Sequence, residues 1–99
     1  MVIAERAYEM VVVLNPNLGE NEVSSAMERI NRAITERGGS ILDQNMWGRR
    51  RLAYQIKKFS EGTYMVSHVN LVPTRVGEIE NSLTLNENVL RHLIVRMDE

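Results

Sequence analysis

The first forty residues show two different spacings of apolar side chains. Residues 8–14 are short, mostly apolar and rich in β-branched side chains, which is typical of a strand covered on both faces. Beyond Gly19, a candidate N-cap, apolar residues recur every three or four positions, the spacing of one helix face. The glycine pair at 38–39 would end this helix. The sequence therefore predicts a central strand followed by an amphipathic helix.

The remaining residues predict two more strands, a helix and a last strand. A glycine inside a strand pattern indicates a bulge or bend, and Gly48 is such a residue. Residues 59–62 have the composition of a hairpin turn. The predicted elements are a second strand over 40–56, a third over 63–71, a helix from Pro73, and a fourth strand over 89–97.

The order β-α-β-β-α-β predicts an α+β fold of the ferredoxin-like (βαββαβ) class. Its four-stranded antiparallel sheet carries two helices on one face. The strand order of that class, 4-1-3-2, places the apolar first strand inside the sheet and the second strand at an edge. Residues 1–99 are expected to form a single domain, because 43% hydrophobic content in 99 residues supplies one core.

The composition removes several classes of function. Without cysteine the chain has no disulfides or thiolate metal sites, and we expect no metal and no cofactor. The two histidines fall on separate predicted strands, and neither a phosphate-binding Gly-rich loop nor a nucleophile with its base is visible. We therefore expect no enzyme and no small-molecule substrate. The absence of a signal-peptide pattern and of long apolar runs predicts a cytoplasmic protein without a membrane span.

Positive charge is concentrated in one short segment. Residues 44–60 carry five cations and no carboxylate, in a chain of formal net charge -1. The cations are Arg49, Arg50, Arg51, Lys57 and Lys58. Guanidinium groups suit phosphate oxygens, and Trp47 beside them offers a ring on which a base can stack. Charges on an edge strand also discourage aggregation, and the residue pattern leaves these two interpretations about even. The absence of acid in the segment favours a polyanion.

Strand alternation predicts which side chains share a face. Arg49 and Arg51 should lie on one face and Arg50 on the other, unless a bulge at Gly48 resets the register. If residues 69 and 71 face the helices, then Tyr64, Val66 and His68 occupy the uncovered face. A half-apolar uncovered face is either a docking surface for a protein or a weakly hydrophobic exterior.

Four segments of the chain resemble the bacterial small-subunit ribosomal protein six family. They are Y-E-M-V-V-V-L-N-P-N-L at 8–18, G-R-R-R-L-A-Y-Q-I-K-K at 48–58, E-G-T-Y at 61–64 and L-N-E-N-V-L-R at 85–91. The resemblance implies a structural, non-catalytic role on the ribosome. It implies binding to the central domain of 16S ribosomal RNA as a heterodimer with ribosomal protein eighteen.

The resemblance also indicates which basic residues of this chain match basic positions of the family. Arg50 and Arg51 match the basic pair before L-A-Y, Arg91 matches a basic position after N-V, and Arg6 lies near the basic residues of the family's N-terminal part. Gln55 departs from the family, which often has proline there. The candidates for rRNA contact are Arg6, Trp47, Arg49, Arg50, Arg51, Lys57, Lys58 and Arg91, and those for partner docking are Tyr64, Val66 and His68. The alternative is an oligomerising or regulatory module in which the arginines only guard the edge.

Overall fold

The predicted elements occur in the predicted order within residues 5–97, the part of the chain that the computed structural model describes. The strands and helices are β1 (Arg6–Leu14), α1 (Glu20–Thr35), β2 (Ser40–Ile56), β3 (Phe59–Leu71), α2 (Val76–Leu85) and β4 (Val89–Arg96). The second helix begins later than predicted, because Pro73 opens a separate 3₁₀ turn, Pro73–Arg75, before α2. None of the helices in residues 5–97 is long and apolar enough to cross a membrane.

The sheet confirms the predicted topology. Its strand order is β2-β3-β1-β4, with every neighbouring pair antiparallel. One face of β1, formed by Tyr8, Met10, Val12 and Leu14, packs in a single core with buried residues of both helices. The fold is therefore α+β and ferredoxin-like, with both helices on one face and β2 at an edge.

Local signals place the ends of α1 as predicted. Gly19 is the N-cap, and its N–H donates to the Glu22 carboxylate at 3.0 Å. At the other end Gly38 has a φ of +81°, a left-handed conformation that glycine adopts without strain. Arg37 donates from its guanidinium to the Ala33 carbonyl at 3.0 Å, so a cation covers one of the last open carbonyls.

The turn of the β2–β3 hairpin lies earlier than predicted. Ile56 pairs with Phe59, so the two-residue loop is Lys57-Lys58, and residues 59–62 belong to β3. Gly62 is in a strand for a steric reason: a Cβ there would lie 2.3 Å from the Val13 side chain. A glycine that allows close approach was mistaken for a turn residue.

The hairpin extends beyond β1 and folds back onto the uncovered face. Pairing between β1 and β3 ends at Leu14 and Thr63. Past that point the register shifts between Arg51 and Ile56, so that four residues of β2 face one of β3. In this irregular segment the Leu52 side chain packs with Val13 and Leu90 in a second apolar cluster. The predicted plain alternation of residues 52–56 is thus replaced by an arch, which brings the hairpin against the start of β4.

Candidate nucleic-acid interface

Six of the seven candidate cations lie at one end of the sheet. Arg49 pairs with Thr63 beside the end of β1, and the rest of the hairpin lies beyond it. Arg91 joins them from β4, where it pairs with Val13. Arg6 is at the opposite end of β1, eight residues or roughly 26 Å away along the strand. The fold therefore assembles one cationic end, defined by Arg49, Arg50, Arg51, Lys57, Lys58 and Arg91, and leaves Arg6 apart from it.

The three consecutive arginines have three different environments. Arg49 donates from its guanidinium to the Pro16 carbonyl at 2.6 Å, and its Nε lies 3.7 Å from the Glu61 carboxylate. It therefore ties the hairpin to the loop after β1. Within the described residues Arg50 and Arg51 have no ion-pair partner, and both are exposed. The pair that follows Arg49 is thus the part of the run that is available to a phosphate.

The bulge at Gly48 sets the direction of these side chains. The register shifts between Met46 and Gly48, as predicted, and Gly48 has a φ of +82°. From Gly48 to Arg51 the pairing with β3 is regular, so Arg49 and Arg51 share one face and Arg50 takes the other, as predicted. Arg50 lies with Trp47 and Tyr64 around one open depression.

The tip of the hairpin places two lysines in an unfavourable backbone conformation. Lys57 and Lys58 have φ values of +50° and +73°. A positive φ at both residues of a two-residue hairpin loop is what the type I′ turn requires, and that turn prefers Asn-Gly. Both lysines are exposed. The turn therefore carries charge where the backbone geometry favours other residues.

Arg91 is held by the arched part of the hairpin. Its guanidinium donates to the Tyr54 hydroxyl and lies 6.0 Å from the centre of the Tyr54 ring. Arg91 also borders, with Lys57, a depression between the turn and the start of β4. Tyr54 was not among the predicted site residues, because its contact depends on the arch and not on the strand alternation.

The uncovered sheet face presents more apolar surface than the docking prediction named. Tyr64, Val66 and His68 do lie on this face, but Val66 is only 5% exposed because its neighbours cover it. The face also exposes apolar residues of β4 and its end that the prediction did not name: Leu93, Val95 and Met97 are 52%, 47% and 50% exposed. Leu93, Val95 and Met97 alternate with Ile94 and Arg96 in the sequence. Together with the pairing of β4 and β1, this alternation places them on the uncovered face.

His68 forms a polar bridge across three strands. Its Nδ1 lies 2.7 Å from the Asp43 carboxylate on β2, and its Nε2 lies 3.2 Å from Glu9 on β1. The hydrogen bond to Asp43, followed by that to Glu9, raises the pKa of His68 above its ordinary value. These two carboxylates occupy both ring nitrogens. In residues 5–97 no group of three or more His, Asp or Glu side chains is arranged to hold a metal ion.

The sequence and the fold match one family along nearly the whole chain. The profile of the family described as ribosomal protein S6 matches residues 7–96. The chain belongs to this family. The small ribosomal subunit protein bS6 of Nocardioides sp. (strain ATCC BAA-499 / JS614) is 42% identical over 93 residues, which cover 94% of this chain and 97% of that protein. The bS6 protein of Mycolicibacterium paratuberculosis is 42% identical over 94 residues, covering 95% and 98% of the two chains.

A solved structure agrees with this assignment. The crystal structure of 30S ribosomal protein S6 from Thermotoga maritima matches with a TM-score of 0.88 and 34% identity, covering 95% of this chain and 89% of that one. This S6-family chain is therefore a structural protein of the small ribosomal subunit and not an enzyme. Family membership locates it on the ribosome in the cytoplasm, and confirms the resemblance found in the sequence.

Proposed function

We propose that this chain binds the central domain of 16S ribosomal RNA through its cationic end, together with ribosomal protein eighteen. The observation that carries the proposal is the assembly of six cations from β2, the hairpin turn and β4 at one end of a chain of net charge -1. A local concentration of this kind attracts a phosphate backbone although the whole chain is nearly neutral. Membership of a small-subunit ribosomal protein family supports ribosomal RNA as this polyanion.

The cations of this end differ in what they contribute. Arg50 and Arg51 have exposed guanidinium groups that suit bidentate contact with phosphate oxygens. Arg49 is already bound to Pro16 and acts as a positioning residue, because it fixes the angle between the hairpin and the loop after β1. Such contacts recognise phosphates and RNA shape without reading base sequence.

The lysine turn supports the same proposal independently. A left-handed conformation costs an ordinary residue roughly 1–2 kcal/mol, a cost that Asn-Gly would largely avoid. Lys57 and Lys58 both adopt it at an exposed tip. Backbone strain concentrates at functional sites, so two charged residues in such a turn favour a role for their charge.

We assign the docking of ribosomal protein eighteen to the uncovered sheet face. Its exposed apolar residues, Leu93, Val95 and Met97, lie beside β1 and opposite the helix layer. Tyr64 and His68 lie on the same face on β3, with β1 between them and β4. An apolar strip with a polar margin is the usual composition of a protein interface. Placed there, the partner would sit next to the cationic end, so that both proteins face one RNA junction.

The RNA contact is tested by the salt dependence of binding. The double variant Arg50→Gln/Arg51→Gln should weaken binding to a central-domain RNA fragment, measured with ribosomal protein eighteen present. Each phosphate contact contributes about 0.7–0.9 to the slope of log affinity against log salt, so the slope should become shallower by about 1.4–1.8. Both arginines are exposed, so thermal stability should not change.

A matched variant controls for net charge. Arg29→Gln/Arg32→Gln removes the same two charges from exposed positions of α1, in the helix layer. It should leave the slope as it is. If both double variants flatten the slope equally, general electrostatics explain the binding and the hairpin has no specific role. If neither changes it, the proposal is wrong.

The partner contact has its own pair of variants. Leu93→Asp should abolish heterodimer formation in sedimentation experiments without RNA, because it buries a charge in the proposed interface. Leu85→Asp, at a leucine that is even more exposed but lies at the end of α2, should leave it intact. A heterodimer that tolerates Leu93→Asp would move the partner to another surface.

A further inference from the structure

Two aromatic rings lie side by side on the uncovered face at the edge of the sheet. Trp47 and Tyr64 have nearly parallel rings, with an angle of 12° between planes and 6.5 Å between centroids. That separation is near the outer limit for interacting aromatic pairs, so neither ring covers the other. Trp47 is 53% exposed. Tyr64 is half-buried and packs against the cluster of Val13, Leu52 and Leu90, so Trp47 supplies most of the open ring surface.

Trp47 lies at the Gly48 bulge, beside Tyr64 of the neighbouring strand. Trp47 is the additional residue between Met46, which pairs with Met65, and Gly48, which pairs with Tyr64. A bulge places an unpaired residue in the strand and redirects its side chain. A register continued from the Met46–Met65 pair would also place Trp47 opposite Tyr64, so strand pairing between β2 and β3 makes the two rings neighbours. The positive φ of Gly48, +82°, marks where the backbone departs from regular strand geometry beside this pair.

A cation completes the group. Trp47, Tyr64 and Arg50 line an open depression of about 360 Å³. Arg50 has no ion-pair partner among the described residues. The guanidinium found over a ring in residues 5–97 is that of Arg91 on Tyr54, so the ring faces of Trp47 and Tyr64 are not occupied in this way.

We propose that Trp47, Tyr64 and Arg50 form a stacking site for one unpaired nucleobase of RNA, with Arg50 on an adjacent phosphate. This inference rests on the proposed RNA-binding function and specifies what one part of that surface holds. It also joins residues that the sequence assigned to two different partners. Tyr64 becomes part of the RNA surface and forms the border with the protein-docking face.

The chemistry of the depression favours a base over a phosphate alone. Ring faces carry negative electrostatic potential and repel anions, whereas they stack on any nucleobase. Arg50 beside the rings supplies the positive charge that the attached backbone requires. Since the lining includes no amide side chain to read base edges, the site should accept any base and select for a base that is unpaired.

The single tryptophan makes the site directly observable. Trp47 is the only tryptophan in the chain, so tryptophan fluorescence reports on this position alone. Short oligoadenylate, added to the full chain at low salt, should quench it. An abasic oligomer with the same number of phosphates, and a blunt-ended RNA duplex, should bind without comparable quenching. Equal quenching by all three would overturn the proposal, because it would report charge and not stacking.

Variants test the contribution to affinity, measured by anisotropy of labelled oligoadenylate. Trp47→Ala should weaken binding about 5- to 150-fold, the range for loss of one stacked base, and leave the salt slope unchanged. Trp47→Phe keeps a ring and should restore most of the affinity. Met46→Ala, at the neighbouring exposed apolar residue on the same strand, should have little effect. Thermal unfolding of each variant verifies that it folds.

The outcomes separate this inference from the proposed function. If the unmodified chain binds RNA with a steep salt dependence but Trp47→Ala binds equally well, the stacking site is refuted and the RNA function stands. If the chain and its complex with ribosomal protein eighteen have no salt-dependent affinity for RNA, the proposed function fails as well. If Trp47→Ala weakens binding to ribosomal protein eighteen and not to RNA, the site belongs to a protein and this inference is wrong.

Discussion

Replacing the lysine turn by Asn-Gly should stabilise the protein and weaken its binding to RNA. The change is Lys57→Asn/Lys58→Gly in the two-residue loop that joins Ile56 to Phe59. The present residues have φ values of +50° and +73°, in the left-handed region. Asparagine and glycine are the residues that this turn type prefers. Stability and affinity should therefore move in opposite directions in one variant.

The size of the stability gain follows from the backbone. Relief of left-handed strain is worth roughly 1–2 kcal/mol at a residue that becomes glycine, less the 0.5–1 kcal/mol that glycine loses in unfolded-chain entropy. Asparagine at position 57 tolerates the conformation better than lysine and adds a similar net amount. The total is about 1–2 kcal/mol. For a domain of this size, each kcal/mol raises the Tm by about 4–8 °C.

The gain should appear in global unfolding because the hairpin is part of the packed structure. Ile56 and Phe59, on either side of the turn, pack against the cluster of Val13, Leu52 and Leu90. Opening the turn therefore disturbs contacts with the body of the sheet. Urea denaturation and calorimetry measure the effect. RNA titrations at several salt concentrations should give a slope shallower by about 1.4–1.8 for the two lost cations.

Two control variants separate charge from backbone strain. Lys57→Gln/Lys58→Gln removes the charges but not the strain, and should weaken RNA binding without a gain in stability. Lys57→Arg/Lys58→Arg should change neither property much. If the glutamine variant gains as much stability as the Asn-Gly variant, repulsion between adjacent lysines explains the result and the strain argument is refuted. A variant that binds RNA as before would remove the turn from the interface.

Three further predictions concern two positions in the sheet and one in α2. The hydrogen bonds to Asp43 and Glu9 raise the pKa of His68, so its protonated form stabilises the folded state below a pH of about 6.5. This contribution is lost as the pH rises through the folded-state pKa. His68→Gln should therefore flatten that part of the Tm–pH curve. Gly62→Ala should destabilise the fold by about 1–3 kcal/mol, since its Cβ meets Val13 at 2.3 Å. Gly77→Ala should stabilise by at most about 1 kcal/mol, since nothing lies within 4 Å of that position in the first turn of α2; urea midpoints that move the same way for both alanines would contradict the steric argument.

The architecture was predictable because its signals are local and repeated. The apolar run of β1 indicated a central strand, and the spacing in α1 indicated an amphipathic helix; both agree with the core. Caps and breakers such as Gly19 and Gly38 act within a few residues of where they occur. The position of Gly48 gave the bulge for the same reason. Each of these features is decided by a short stretch of sequence.

The predicted hairpin turn was in the wrong place because Gly62 is a strand residue and the real turn contains no glycine. Gly62 resembles a turn residue, but its missing side chain accommodates Val13, 49 positions earlier in the sequence. The actual turn consists of two lysines, which are not among the residues that favour turns. The arch of residues 52–55 likewise depends on contact with Leu90 and Arg91. None of these long-range contacts has a signature in the neighbouring residues.

The same dependence on long-range contacts limits what the sequence predicts about the function of the arginine run. The sequence predicted that all three arginines of the run contact phosphate. In the structure Arg49 is bound to the carbonyl of Pro16, 33 residues earlier in the chain, and Arg50 lies beside two aromatic rings on the other face. Arg51 has neither contact, so it is the arginine whose charge is least committed to the protein itself. Sequence alternation correctly divided the faces, because that depends only on backbone period. What each face contacts depends on the loop after β1 and on β3, and therefore on the fold as a whole. A substitution series along this run should accordingly separate into loss of hairpin position at Arg49, loss of the stacked nucleotide at Arg50, and simple loss of charge at Arg51.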